Sequence, residues 1–229
     1  MKGTIANTAA VLLGGLIGSG LGNSFLLKYQ QPIMQALKIT VGIIGVQMAL
    51  KTENLLIVIL SLVIGIIIGE QLNLEKYMQS LASKLMQLTN YLFPKMRQSR
   101  FQEGFITASL VYCVGAMAIV GSIQDGLQGQ TEVLYLKSVL DGVSAIVFAT
   151  TFGIGVAFSA IPVFVYQASI TLLAEFFSAY FTPAVIREIT AVGGVSILAL
   201  AIKMLEIEDI KVANWLPAII VAAVLATIL

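Results

Sequence analysis

Apolar residues in this chain fall into long blocks separated by short polar breaks, and each block is near the roughly 20 residues that an α-helix needs to cross a bilayer. The blocks predict about eight transmembrane helices, placed at Thr4–Gly22, Ile33–Leu50, Leu55–Leu72, Glu103–Ser122, Ser138–Ser159, Pro162–Phe181, Ala184–Leu205 and Ala213–Leu229. The fifth and sixth are expected to join through the corner Ser159–Ala160–Ile161–Pro162, because proline suits a helix start. The expected fold is all-α: a polytopic transmembrane helical bundle forming a single domain over residues 1–229.

One stretch breaks the pattern. Asn73–Gln102 carries Lys76, Lys84, Lys95, Arg97 and Arg100, while Leu74, Tyr77, Met78, Leu81, Leu85, Met86 and Leu88 recur mainly three and four apart. That period predicts an amphipathic helix, lying on the membrane surface or packed on the protein's own inner face. If this connector is cytoplasmic, Lys28, Lys38, Lys203 and Lys211 also fall at cytoplasmic ends, leaving Lys2, Lys51, Lys137 and Arg187 outside. The positive-inside rule then places both termini outside. Lys2 before an apolar run has the look of a cleaved signal. Asn7 and Thr8 interrupt that run, however, and it belongs to the repeat described below, so it is read as retained.

Composition narrows the picture. The chain is 58% hydrophobic and 11% charged, with a mean hydropathy of +0.95; a soluble domain carries roughly 25% charged residues. No water-facing domain can be built from it, and the lipid bilayer is the first partner expected. The single cysteine, Cys113, excludes a disulfide framework and a cysteine-built metal site. The absence of histidine removes the usual zinc and haem ligands and the commonest general base. No cofactor, no enzymatic activity and no nucleic-acid partner are expected.

The ends of the chain look alike. Gln31–Pro32 opens the second span and Val41–Gly42 follows; Thr182–Pro183 opens the seventh, and Val192–Gly193 follows at the same spacing. Glu53–Asn54–Leu55 begins the third span and Ala213–Asn214–Trp215–Leu216 the eighth. Three-helix units at 1–72 and 161–229 would have opposite orientations, an inverted repeat of the kind many secondary transporters use. They would flank the connector 73–102 and a central helix pair at 103–160. A duplication that left only a scaffold is the alternative.

The unusual residues gather in that central pair. Asp125 and Asp141 are placed at the same end of adjacent helices, where they can approach each other. Two carboxylates with Ser122, Gln124, Ser138 and carbonyls freed at Gly121 or Gly142 would suit a hard cation. The plainer reading is that Asp125 caps a turn and Asp141 pairs with Lys137 one helical turn away. Glu175 is placed well inside the sixth span, on one face with Gln167 and Thr171, as a protonated structural group or a proton-coupling site. Asn7, Thr8 and Gln47 either line a path or bond between helices. Glu70, Glu103, Arg187 and Glu188 are expected at solvated or interfacial ends. Gly14, Gly18 and Gly22, like Gly65 and Gly69, have the spacing that lets helices pack closely in lipid. Gly153 and Gly155, beside Thr150 and Thr151, also permit an unwound segment.

These motifs carry a resemblance. The run Cys113–Val114–Gly115–Ala116–Met117–Ala118–Ile119–Val120–Gly121–Ser122–Ile123–Gln124–Asp125–Gly126–Leu127 is its most specific part. Lys137–Ser138–Val139–Leu140–Asp141–Gly142, Ala191–Val192–Gly193–Gly194 and Asn214–Trp215–Leu216–Pro217 extend it. Over nearly its whole length the chain resembles the bacterial membrane-protein family labelled domain of unknown function 554. Ala168 is a departure, standing where the family is expected to carry glycine after Tyr166–Gln167. The resemblance implies a bacterial inner-membrane protein and brings no substrate or reaction with it.

Three function classes follow. Polar central spans and little extramembrane mass favour a transporter or ion-conducting protein for a cation or proton-coupled small solute. A large anion is disfavoured, since only Arg187 and a few lysines lie near the spans. A scaffold is the second class, in which Asp125, Asp141 and Glu175 tolerate neutral replacement. The third, an intramembrane aspartyl protease, needs two carboxylates sharing a proton, and these two are placed near a membrane face. The glycine faces suit a homo-oligomer.

Overall fold

A computed structural model describes residues 1–21, 30–92, 100–113 and 116–228. Lys28, Lys95 and Arg97 of the orientation argument, Gly22 of the glycine series and Val114–Gly115 of the central motif lie outside the described residues. The described residues form α1 (Lys2–Leu21), α2 (Gln30–Ala49), α3 (Leu55–Leu72), α4 (Leu74–Leu92), α5 (Phe101–Cys113), α6 (Ala116–Leu127) and α7 (Glu132–Phe152). After these come α8 (Gly155–Phe158), α9 (Ala160–Leu172), α10 (Ala174–Ser178), α11 (Pro183–Met204), a 3₁₀ turn at Val212–Trp215, and α12 (Leu216–Ile228). Among the described residues there is no strand, as the all-α reading requires.

Among the described residues, five helical stretches are long and apolar enough to cross a membrane: α1, α3, α7, Gly155–Leu172 and α11. The count rises to six if Phe101–Cys113 and Met117–Leu127 are one broken span, while Gln35–Ala49 and Val212–Ile228 are shorter apolar helices. The connector forms α4, which exposes Lys76, Tyr77, Leu81 and Lys84 while burying Glu75 and Ala82.

Local chemistry sets the helix ends. Asn54 caps α3 by accepting a hydrogen bond from the Leu56 amide, and Thr182 caps α11 by accepting from Val185, with Pro183 at the first helical position. The chain turns from α3 into α4 at Asn73, whose left-handed backbone (φ 51°) suits asparagine. The expected corner at Ser159–Pro162 lies elsewhere. α7 stops at Phe152 because Gly153 has φ 77° and ψ −159°, a conformation essentially closed to other residues. Pro162 sits in the first turn of α9, where its missing N–H leaves no helical bond unmade. The predicted spans Ser138–Ser159 and Pro162–Phe181 therefore become Glu132–Phe152 and Gly155–Leu172. The glycine pair proposed as an unwound segment is where the break occurs.

The chain forms two compact units, and the predicted segments divide between them. The first comprises Met1–Gln35, Gln79–Cys113 and Met117–Glu175. Here α1 runs parallel to α7, since Gly14 lies on the Gly142 carbonyl and Gly18 on that of Ile146. Against α8 and α9 it runs antiparallel, with Gly15 on Ala157 and Thr4 on Thr171. α5 closes the unit through Gly104 on Phe152 and Phe101 on Gly155. A methyl group at Gly14, Gly15 or Gly18 would strike a neighbouring backbone, so Gly14 and Gly18 set the helix spacing as their four-residue period implies, and Gly15 does so beside them.

The second unit comprises Ala36–Met78, Val114–Ala116 and Phe176–Leu229. Gly65 meets Ala218 and Gly69 meets Asn214, so α3 is antiparallel to the 3₁₀ turn and α12. Gly45 meets Leu198 and Gly194 meets Ala49, so α2 is antiparallel to α11.

Candidate functional site

The polar residues of the first unit converge on the first two turns of α1. The opening amides of a helix have no internal acceptor and carry the positive end of its dipole. Asp125, projecting from α6, meets that need: its Oδ2 accepts from the amides of Gly3 at 3.0 Å and Thr4 at 3.4 Å, with the Met1 amino group at 2.9 Å. Gly3 leaves room for this, because a Cβ there would fall 3.3 Å from that oxygen and 2.7 Å from Leu134. Asp125 therefore caps a helix 122 positions away rather than a local turn.

One turn further along α1 lies Asn7, fully buried, whose Nδ2 donates to Asp141 Oδ2 at 3.1 Å. Asp141 also receives the Lys137 ammonium at 2.6 Å, the i, i+4 pair expected on α7. Both side chains of that pair are about nine-tenths buried, at 9% and 10% exposed. The two aspartates thus attach to adjacent turns of α1, each with its own cationic or N–H partners. The small residues do not open the helices: α6 and α7 run through Gly121 and Gly142, and Ser138 bonds back to the Leu134 carbonyl. The freed carbonyls proposed for a cation are not formed there. Among the described residues no group of three or more His, Cys, Asp or Glu is placed to hold a metal ion.

On α9, Thr171 hydrogen-bonds Thr4 through their hydroxyls at 3.1 Å. Because α1 and α9 are antiparallel, moving one turn inward on each brings Asn7 level with Gln167 on the facing surfaces. Gln167 is fully buried, and neither its Nε2 nor its Oε1 has a hydrogen-bond partner. The same holds for Asn7 Oδ1 and for Ser122 Oγ, which lies three residues before Asp125 on α6. Asp125, Asn7 and Asp141 are therefore joined along the first turns of α1, with Gln167 one turn from Thr171 on the facing helix and Ser122 one turn from Asp125 on α6. Gln124 is only half-buried. Glu175 leaves the face it was expected to share: α9 ends at Leu172, and Glu175 is exposed in the first turn of α10.

Two carboxylates of the second unit, Glu188 and Glu75, are buried, although the place of Glu188 near a helix start predicts an interfacial role. Glu188 is 3% exposed and accepts from the Thr52 hydroxyl at 2.5 Å and the Glu53 amide at 3.0 Å, pinning the turn between α2 and α3. Glu75, within the basic connector, accepts from Lys203 at 3.1 Å and from the Ala213 amide at 3.0 Å, while its own amide donates to Asn214 Oδ1 at 2.7 Å. Asn214 belongs to a motif singled out above, the one local signal for this cluster. Gln47 is exposed on α2.

A model of the family described as protein of unknown function, DUF554, matches residues 2–227. The uncharacterized membrane protein YdfK of Bacillus subtilis strain 168 is 33% identical over 228 residues, covering 98% of this chain and 95% of the relative. The uncharacterized protein YqgA of Escherichia coli K12 is 28% identical over 220 residues, covering 96% and 94%. No solved structure matches the chain.

Proposed function

The chain belongs to the DUF554 family, and from that premise we propose that it is a multi-pass membrane transporter or ion-conducting protein that moves a cation or a proton-coupled small solute. Its place is the bacterial inner membrane, crossed by about eight spans with both termini outside. The observation that carries this reading is the buried polar core on α1, α6, α7 and α9, in which Gln167, Asn7 and Ser122 hold polar atoms without partners. Polar groups within membrane spans are costly and mark substrate or ion pathways.

The way the helices pair favours an inverted repeat, which would support it. The third helices of the two predicted repeats pair antiparallel with each other, α3 with α12, and the second helices do so as α2 with α11. In the other unit the first helices meet antiparallel as α1 with α9. Each repeat thus gives its first helix to one unit and its second and third to the other, as duplication with inversion would produce.

The test is flux of Na⁺, K⁺, H⁺ and small solutes into liposomes holding the purified protein, with Asp141→Asn and Asn7→Ala alongside. Wild-type flux lost in both folded variants supports the path; no flux under any gradient removes the transport reading. The second reading, a scaffold, draws on the capping role of Asp125. It expects neutral replacements to alter stability alone.

A further inference from the structure

Both carboxylates expected to attract a cation are already engaged, Asp141 by Lys137 and Asn7, and Asp125 by the amides that open α1. What the polar core leaves unpartnered is neutral: Asn7 Oδ1, Ser122 Oγ, and both Oε1 and Nε2 of Gln167, all on fully buried side chains. The identity of the Asn7 oxygen follows from chemistry, because an ionised carboxylate only accepts, so the atom facing Asp141 must be the amide nitrogen. The set therefore holds acceptors in Asn7 and Gln167, a hydroxyl of either sense in Ser122, and the two N–H donors of Gln167. A bare cation satisfies the oxygens, leaves those donors unmet, and sits beside the Lys137 ammonium. A neutral solute carrying a donor and an acceptor side by side satisfies all of them.

We propose that this core binds a small uncharged solute of the amide or polyol class, with the Gln167 carboxamide pairing to it through both atoms and Asn7 Oδ1 and Ser122 Oγ completing the contacts. The proposal rests on the transport reading above and specifies its substrate. The Lys137–Asp141 pair then acts as a positioning device: it fixes the Asn7 amide so that Oδ1 faces the solute.

The experiment uses the full chain in liposomes. Stopped-flow light scattering reads swelling driven by urea, acetamide or glycerol, with Na⁺, K⁺ and H⁺ flux measured on the same preparation. At least one neutral probe should enter faster than into protein-free liposomes. Gln167→Leu should slow that entry about ten- to a hundredfold, the size of two lost hydrogen bonds, without lowering the thermal unfolding midpoint. Ser122→Ala gives a second reading should Gln167→Leu not fold, and it should slow entry in the same direction. Cation flux without entry of any neutral probe overturns the solute class and leaves the transport reading standing. Passage of water alone also overturns the solute class. Solute entry indifferent to both replacements overturns the site, and no flux of any kind overturns both proposals.

Discussion

The glycine seam between α3 and the 3₁₀ turn allows one substitution to be given opposite signs at two positions. At Gly69, an alanine Cβ would fall 2.6 Å from the carbonyl carbon of Asn214 and 2.9 Å from its Cα. The obstacle is backbone, and it is tied down: Asn214 accepts from the Glu75 amide at 2.7 Å, and its own amide donates to Lys211 at 2.9 Å. Relief requires the two helices to move apart, and overpacking of this kind costs about 1–3 kcal/mol. Alanine returns about 0.8–1 kcal/mol of helix propensity, so Gly69→Ala should lose up to about 2 kcal/mol net. Gly42, in the middle of α2, is the counterpart, since its nearest neighbour would be the Ala201 Cβ at an ordinary 3.5 Å. Gly42→Ala should keep most of the propensity gain. The two variants should differ by the overpacking cost, about 1–3 kcal/mol, and for a chain of this size each kcal/mol moves the midpoint about 2–4 °C. Thermal unfolding in detergent, followed by the emission of the single tryptophan, reads this directly, because Trp215 adjoins Asn214. A Gly69→Ala protein as stable as Gly42→Ala would refute the packing argument.

Further outcomes are expected from the polar contacts and the topology. A double-mutant cycle of Asn7→Ala with Asp141→Ala should give a coupling of about 0.6–1.7 kcal/mol, the range found for hydrogen bonds between membrane helices; chemical unfolding in mixed micelles measures it, and no coupling would mean the bond is not formed. Glu188→Ala should free the turn at 52–54 and cost about 1–3 kcal/mol by leaving the Glu53 amide unpaired, seen as faster hydrogen exchange at that amide with α12 unaffected. In a Cys113→Ser background, Gln130→Cys should react with a membrane-impermeant maleimide on intact cells and Asp209→Cys only after lysis; the reverse pattern would invert the proposed orientation.

How far the sequence reaches depends on whether a feature is local. The apolar blocks are legible because a helix in lipid must satisfy its own backbone bonds, which leaves length and hydropathy to set the spans. The Thr182–Pro183 start and the Lys137–Asp141 pair are legible because each involves residues within one helical turn or so. The corner between the fifth and sixth spans was misplaced because a proline in the first turn of a helix reads the same as one that begins it, and the stronger constraint lay in the positive φ of Gly153. Glu175 does not share the face of Gln167 and Thr171 because α9 ends at Leu172–Leu173, with no glycine or proline to mark the end. Glu188, Glu75 and the capping role of Asp125 were beyond reach, since their partners lie 136, 138 and 122 positions away.

The helices of this chain are held by one chemistry, and its interior carries another. Close packing through Gly14, Gly15, Gly18, Gly65 and Gly69 brings backbones together without any polar group, which suffices to associate helices in lipid. In the core, Asn7 adds an interhelical bond to Asp141, but Gln167 adds none. Each buried polar atom without a partner costs about 1–3 kcal/mol, and Gln167 alone contributes two. A leucine at 167 would fill the space between α1 and α9 at no such cost, so a chain whose only task was to hold its helices would be better served by it. An assembly role therefore accounts for the seams and leaves the core unexplained. A ligand supplying the missing hydrogen bonds accounts for the core, and ties the stability of the first unit to its occupancy. Saturating solute should raise the unfolding midpoint of the wild type clearly more than that of Gln167→Leu.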